Sequence, residues 1–156
     1  MISEPDFVFL SKIPLFRELD DDQIGKLSAR LIATVQTKGT TLFKQGDVAL
    51  SLFIIRKGSV NIQRTEATSE EKDIQLCQLT TGDVFGEFSL LNTGHRLTTA
   101  VVHESSALFE LTRQDFVSLV NEDPWFGNFV IKAIARRLLA PFQQHADLFF
   151  KALKTL

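Results

Sequence analysis

The sequence predicts a mainly β fold, an antiparallel sandwich or barrel with helices at both ends, held in a single domain. Three observations carry this. From Ile32 onward, short runs rich in Val, Ile, Thr and Phe follow one another. Glycines at 39, 46, 58, 82 and 94 punctuate those runs as turns do. Apolar residues spaced by 3 and 4 occur only before Ile32 and after Thr112. A chain of 156 residues fits one domain, read as an N-terminal helical segment (1–31), a β region (32–111) and C-terminal helices (112–156).

At the N-terminus, Ile13 to Phe16 lead into a short amphipathic helix carrying Ile24, Leu27 and Leu31, with Asp20, Asp21 and Asp22 as acidic caps. Ser51 to Arg56 and Ser59 to Arg64 are predicted as two strands of a hairpin turning at Lys57 and Gly58. A polar loop, Thr65 to Lys72, follows. Gly46-Asp47 and Gly82-Asp83 are the same turn dipeptide in similar settings, a sign of two related halves of a rolled sheet. The last predicted strand is Ala107 to Leu111. Thr112 with Asp115 forms a capping box for a helix through Val120. Asp123 and Pro124 suit the N-cap and first position of the next helix, whose apolar face is Phe126, Phe129, Val130, Ala133, Ile134 and Leu138. Pro141 is expected to end or kink it. Beyond, Phe142, Ala146, Phe149, Phe150 and Leu153 draw a second apolar stripe, read as an interaction surface.

Composition narrows the function. The apolar content rests on 14 Phe against one Trp and no Tyr, which favours a dry core over a base-stacking platform. A net charge of −2 gives no general attraction to nucleic acid, so no nucleic-acid partner is expected and any anion site must be local. Met1 to Phe9 lack the order of a signal peptide and no apolar run reaches the ~18 residues of a membrane span, so the chain reads as cytoplasmic with no membrane partner. Cys77 is the only cysteine, assigned to strand packing, and excludes an internal disulfide or a Cys-based zinc site. His95, His103 and His145 lack metal-binding spacing, and no nucleophile, base and orienting residue fall in order, so neither a metal, a cofactor nor an enzyme activity is expected.

The informative stretch runs from Phe85 to Thr99, where a turn, a short helix and a strand come together. If Phe88 to Leu91 form a helical turn, the amides from Gly86 to Ser89 lie at its positive end and can cradle a phosphate. Arg96 supplies compensating charge through a planar fork that Lys cannot reproduce. Glu87 would repel a phosphate, but an ionised carboxylate accepts hydrogen bonds and suits a neighbouring sugar hydroxyl. The pair therefore reads a ribose phosphate.

These residues resemble the cyclic nucleotide-binding domain of the catabolite activator, protein kinase A and nucleotide-gated channel superfamily. The likeness covers Ile13 to about Leu139. Phe85-Gly86-Glu87-Phe88-Ser89-Leu90-Leu91 with Arg96 carries most of it, and Leu42-Phe43-x-x-Gly46-Asp47 and the Gly58 turn add to it. The resemblance implies an antiparallel β-roll, a jelly-roll-like double-stranded β-helix, with N-terminal helices, a short phosphate-cassette helix and C-terminal helices. It implies that Glu87 binds the ribose 2′-hydroxyl, that Arg96 binds the cyclic phosphate, and that amides near Gly86 and Leu97 assist. The implied ligand site is Phe85, Gly86, Glu87, Phe88, Ser89, Arg96, Leu97 and Thr98.

Three positions depart from the family pattern. His95 stands where proline is common, Leu97 where a small or hydroxylated residue is usual, and Pro141 where the lid helix continues toward the base. The Leu97 side chain cannot hydrogen-bond a guanine, which puts cAMP ahead of cGMP. Phe142, Gln143 or Gln144 are expected to replace the lid contact. The expected function is a cyclic nucleotide sensor that signals through its C-terminal helices to a second copy or an effector protein. The alternative is an interaction scaffold that keeps the fold without the ligand. Only Pro141 to Leu156 follow the long helix, so no helix-turn-helix is expected.

Overall fold

A computed structural model describes residues 3–66, 72–91 and 94–153, without the side chains of residues 5, 89, 147–150 and 152–153. Two helices open the chain, α1 (Glu4–Ser11) and α2 (Asp21–Arg30). Asp20 caps α2 reciprocally: its carboxylate accepts from the Gln23 amide at 2.8 Å, and the Gln23 side chain accepts from the Asp20 amide at 3.1 Å. Leu31, expected as the last helical residue, is instead extended and leads into the sheet.

The sheet contains β1 (Ile32–Gln36), β2 (Thr41–Phe43), β3 (Ser51–Glu66), β4 (Lys72–Thr80), β5 (Val84–Phe85) and β6 (Thr99–Thr112). All pairings are antiparallel, in the order β1-β6-β3-β4, with β2 on β6 and β5 on β3. The expected antiparallel, mainly β architecture with flanking helices is present. Of the predicted polar loop, Thr65 and Glu66 end β3 and Lys72 opens β4, while its centre lies outside the described residues.

The Gly58 hairpin is a correction. Ser51–Arg56 and Ser59–Arg64 are one strand, and both halves pair with β6, from Ser51 opposite Thr112 to Gln63 opposite Thr99. Register shifts on either side of Gly58 mark a bulge rather than a turn. Gly58 has φ +100°, and a Cβ there would lie 2.3 Å from Ser106 Oγ and 2.8 Å from the Ser105 carbonyl. The glycine permits close strand approach, with the Ser59 amide donating to Ser106 Oγ at 3.1 Å.

After the sheet come α4 (Arg113–Glu122) and α5 (Pro124–Leu153). Thr112 Oγ1 accepts from the Asp115 amide at 3.0 Å, and Asp123 Oδ1 accepts from the Trp125 amide at 3.0 Å, so both predicted caps form. Pro141 does not end its helix: α5 runs through it. Proline deletes one donor, that to the Arg137 carbonyl, and the surrounding Leu, Ala and Gln residues are strong helix formers.

Two apolar clusters hold the fold. One packs α1, α2, α4 and α5 against the outer face of the sheet through Leu10, Phe16, Leu27, Leu111, Phe116, Phe126 and Ile134. The other fills the interior of the roll with Phe43, Phe53, Ile55, Val60, Ile62, Phe85, Ala100 and Leu108. The rings of Phe43, Phe53 and Phe85 pack together within it at centroid separations of 5.4 to 6.0 Å, Phe53 stacked on both of the others. This aromatic floor lies beneath the cassette.

Candidate functional site

The cassette follows from β5. Val84 and Phe85 pair with Ile54 and Phe53 of β3, and the chain then turns at Gly86 (φ +77°) into α3 (Phe88–Leu91). The expected helical turn is therefore present. The return segment is pinned to the 46–49 loop: the Gly46 amide donates to the Arg96 carbonyl at 2.8 Å and the Arg96 amide to the Asp47 carbonyl at 2.7 Å. Val48 and His95 form a bridge alongside. These main-chain bonds fix where the Arg96 side chain enters the roll.

Arg96 is 7 % exposed. Its Nη2 donates to the Ser51 carbonyl at 2.6 Å and Nη1 to the Gly86 carbonyl at 3.4 Å. The guanidinium carbon sits 4.0 Å from the Phe43 ring centroid. A Cβ on residue 86 would lie 2.5 Å from Arg96 Nη1, so glycine is required there for the arginine to pass. Burial lowers the affinity of Arg96 for its proton, with Glu110 and Asp47 pulling the other way. An arginine remains charged at neutral pH even so. Its Nε is buried without a hydrogen-bond partner, a costly state for a cation.

Glu87 is 6 % exposed and does not pair with Arg96. Its Oε1 lies 3.4 Å from Nη1 of Arg137 on α5, and the same Nη1 donates to the Val84 carbonyl at 2.8 Å. The long helix is thus tied to the cassette at its carboxylate. Glu87, Arg96 and Arg137 all line a cavity of about 270 Å³, whose apolar walls include Phe43, Ile62, Leu79, Phe85 and Leu97. That is near the lower end of small-molecule pockets, mostly apolar with a few convergent charged groups.

The family model described as "Cyclic nucleotide-binding domain" matches residues 35–123, more than half of the chain. This chain belongs to the cyclic nucleotide-binding domain family. It is 31 % identical over 125 residues to the cyclic AMP receptor protein of Thermus thermophilus, a match covering 80 % of this chain and 57 % of that protein. Among solved structures it resembles the N-terminal domain of a transcriptional regulator from Streptomyces coelicolor, with TM-score 0.75, 29 % identity, and 85 % and 94 % of the two chains covered. It also resembles the Thermus thermophilus catabolite activator protein, with TM-score 0.72, 30 % identity, and 90 % and 63 % covered. The chain therefore spans less than two thirds of the full-length regulator it matches. The domain is a cyclic nucleotide-binding domain of the kind found in those regulators and in protein kinase regulatory subunits.

The cyclic nucleotide-binding fold brings most of the sequence-expected residues together. Phe85, Gly86, Glu87, Phe88, Arg96, Leu97 and Thr98 all line the cavity. Phe85 does so as a buried ring of the aromatic floor, whereas Phe88 and Leu97 are exposed at the rim. The Ser89 side chain lies outside the described residues. Phe142, Gln143 and Gln144 are exposed on α5 and do not line the cavity. Arg137 approaches the cavity from that helix instead. The sequence reading passed over Arg137, although its spacing, three residues after Ile134 and four after Ala133, puts it at the border of the buried face. Cys77, assigned to packing, is exposed and lines the cavity. Among the described residues, no group of three His, Cys, Asp or Glu is arranged to hold a metal, and no helix is long and apolar enough to cross a membrane.

Proposed function

We propose that the cavity binds a cyclic nucleotide, cAMP ahead of cGMP, and that occupancy is signalled through α5. The supporting observation is the buried Arg96 Nε, an unpartnered cationic donor on a side chain that lines a cavity also lined by the buried carboxylate of Glu87. A cyclic phosphate against Arg96 gives the guanidinium an anionic partner, and a small movement of the side chain brings the enclosed Nε within its reach. The adjacent ribose presents its 2′-hydroxyl to Glu87. Hydrogen bonds to charged groups contribute about 1.5–3 kcal/mol each, so a few supply much of the ~8 kcal/mol of micromolar binding. The base then rests on Ile62, Leu79 and Leu97, and Leu97 offers a guanine no side-chain hydrogen bond.

Signalling uses the Glu87–Arg137 pair. A hydroxyl donating to Glu87 competes with or reorients Arg137, and Arg137 also holds the Val84 carbonyl, so the ligand changes what anchors α5. Exposed Ile131, Leu139 and Phe142 on the same helix form the output surface toward a second copy or an effector. No cofactor or metal takes part. The scaffold alternative draws on the same ion pair, which would then act as a fixed strut between the cassette and α5.

Titration with cAMP, cGMP and 2′-deoxy-cAMP by calorimetry tests the reading. The expected order is cAMP tightest, with 2′-deoxy-cAMP weaker by about tenfold or more, the cost of leaving Glu87 without its hydroxyl partner. Heat from none of the three would leave the scaffold reading standing and remove the sensor.

A further inference from the structure

Cys77 is the only cysteine in the sequence, and its thiol is exposed. On β4 it stands opposite Ile62, and Leu79 stands opposite Val60. Directly opposed residues of an antiparallel pair share a face, as do residues two apart on one strand. Val60, Ile62, Cys77 and Leu79 therefore form one patch. Val60 and Ile62 belong to the cluster inside the roll, so the patch is on the inner side. Ile62, Cys77 and Leu79 accordingly line the same cavity as Glu87 and Arg96. A second observation points to a ligand in that cavity independently of the thiol: two oppositely charged side chains, Glu87 and Arg96, both line it although each is more than nine-tenths buried, and Arg96 keeps an Nε without a partner.

We propose that Cys77 is a thiolation site in the wall of the nucleotide cavity, modified by small anionic disulfides such as glutathione disulfide, and that thiolation and nucleotide binding exclude one another. This rests on the cyclic nucleotide reading above. The Cys77 thiolate attacks one sulfur of the disulfide; a Cys77–S bond forms as the original S–S bond breaks. The departing thiolate takes up the proton that Cys77 released. Cys77 is oxidised and half of the disulfide is reduced to a thiol, so no other oxidant is needed. Two features favour the site. Arg96 and Arg137 border the cavity and attract an anionic reagent. With no second cysteine in the sequence, no internal thiol displaces the adduct, which persists until an external thiol reverses the exchange. A tripeptide held at Cys77 occupies the space beside Ile62 and Leu79 where the base would rest.

The test treats the purified wild-type chain with glutathione disulfide, with and without cAMP, and follows the adduct by intact mass. One adduct is expected. With cAMP at about 100 times its dissociation constant, modification should slow by about 100-fold, in proportion to the unoccupied fraction. The thiolated protein should show no cAMP binding at concentrations that saturate the untreated protein, and dithiothreitol should restore it. Cys77→Ser should take no adduct, and its cAMP affinity should be the same before and after treatment. Equal binding by thiolated and untreated protein, failure of glutathione disulfide to react, or a modification rate indifferent to saturating cAMP would each overturn the Cys77 proposal while leaving the nucleotide site intact. Untreated protein that binds no cyclic nucleotide would instead overturn the underlying reading and this proposal with it.

Discussion

Arg96 and Arg137 border the same cavity, yet the fold treats them in opposite ways. Arg96 is 7 % exposed, bracketed by main-chain bonds at both its amide and its carbonyl, and laid on the Phe43 ring. Arg137 projects from α5 with a side chain 46 % exposed and touches the cassette through one nitrogen. The difference separates two tasks. The first arginine is preorganised, so its cost of burial is met by folding. The second is held weakly enough to exchange partners, as a residue must be if it reports occupancy to a distant surface.

Substitutions can break this contrast or sharpen it. Arg96→Lys keeps the charge but loses the fork, and should weaken cAMP binding by about 100-fold, the scale of one lost charge-assisted hydrogen bond. Calorimetry on protein shown to be folded by its thermal transition checks this. Next in size is Gly86→Ala. The added Cβ meets Arg96 Nη1 at 2.5 Å and the Ser51 carbonyl at 3.2 Å from a left-handed backbone, so the chain should lose about 1–2 kcal/mol of stability while Arg96 is displaced. Denaturant unfolding measures the first effect and cAMP titration the second. Arg137→Ala leaves the buried Glu87 carboxylate without its cation and the Val84 carbonyl without its donor, so it should cost about 1–3 kcal/mol of stability but less than tenfold in cAMP affinity. It should nevertheless abolish the cAMP-dependent change in hydrogen exchange along α5. If this variant lost as much affinity as Arg96→Lys, the division between a fixed and a reporting arginine would fail.

The smallest effect is a control far from the site. Burial pushes the Asp6 carboxyl up, but the Ser3 hydroxyl and the Arg56 guanidinium outweigh it and hold the group below the usual carboxylate range. A depressed folded value means stability that is present above the ordinary carboxylate pKa and lost as pH falls through the depressed one. Thermal melts from pH 5 downward should therefore show the wild type losing its advantage over Asp6→Asn, with cAMP affinity at neutral pH the same in both.

The same local-versus-distant distinction governs what was legible in the sequence. Caps were readable because Asp20, Thr112 and Asp123 bond to amides two or three residues away. The cassette turn was readable because Gly86 and α3 are contiguous. Gly58 misled because a positive φ serves a hairpin and a bulge alike, and only the β6 partner, with Ser106 pressed against it, decides between them. Pro141 misled because its cost is set against a helix whose other residues favour continuation. Arg137 and Cys77 reach the cavity from elements 50 and 10 residues from Glu87 in sequence, and their approach depends on how α5 and β4 pack. Spacing puts Arg137 at the border of a buried face, but nothing local says which pocket that border meets.

The central claim is that Arg96 is a phosphate seat built before the ligand arrives. A crystal structure of the chain grown with cAMP tests it most directly. The account predicts a cyclic phosphate oxygen within hydrogen-bond distance of the Arg96 guanidinium and the ribose 2′-hydroxyl on Glu87. A phosphate bound elsewhere, or a bound nucleotide that makes no contact with the Arg96 guanidinium, would contradict it.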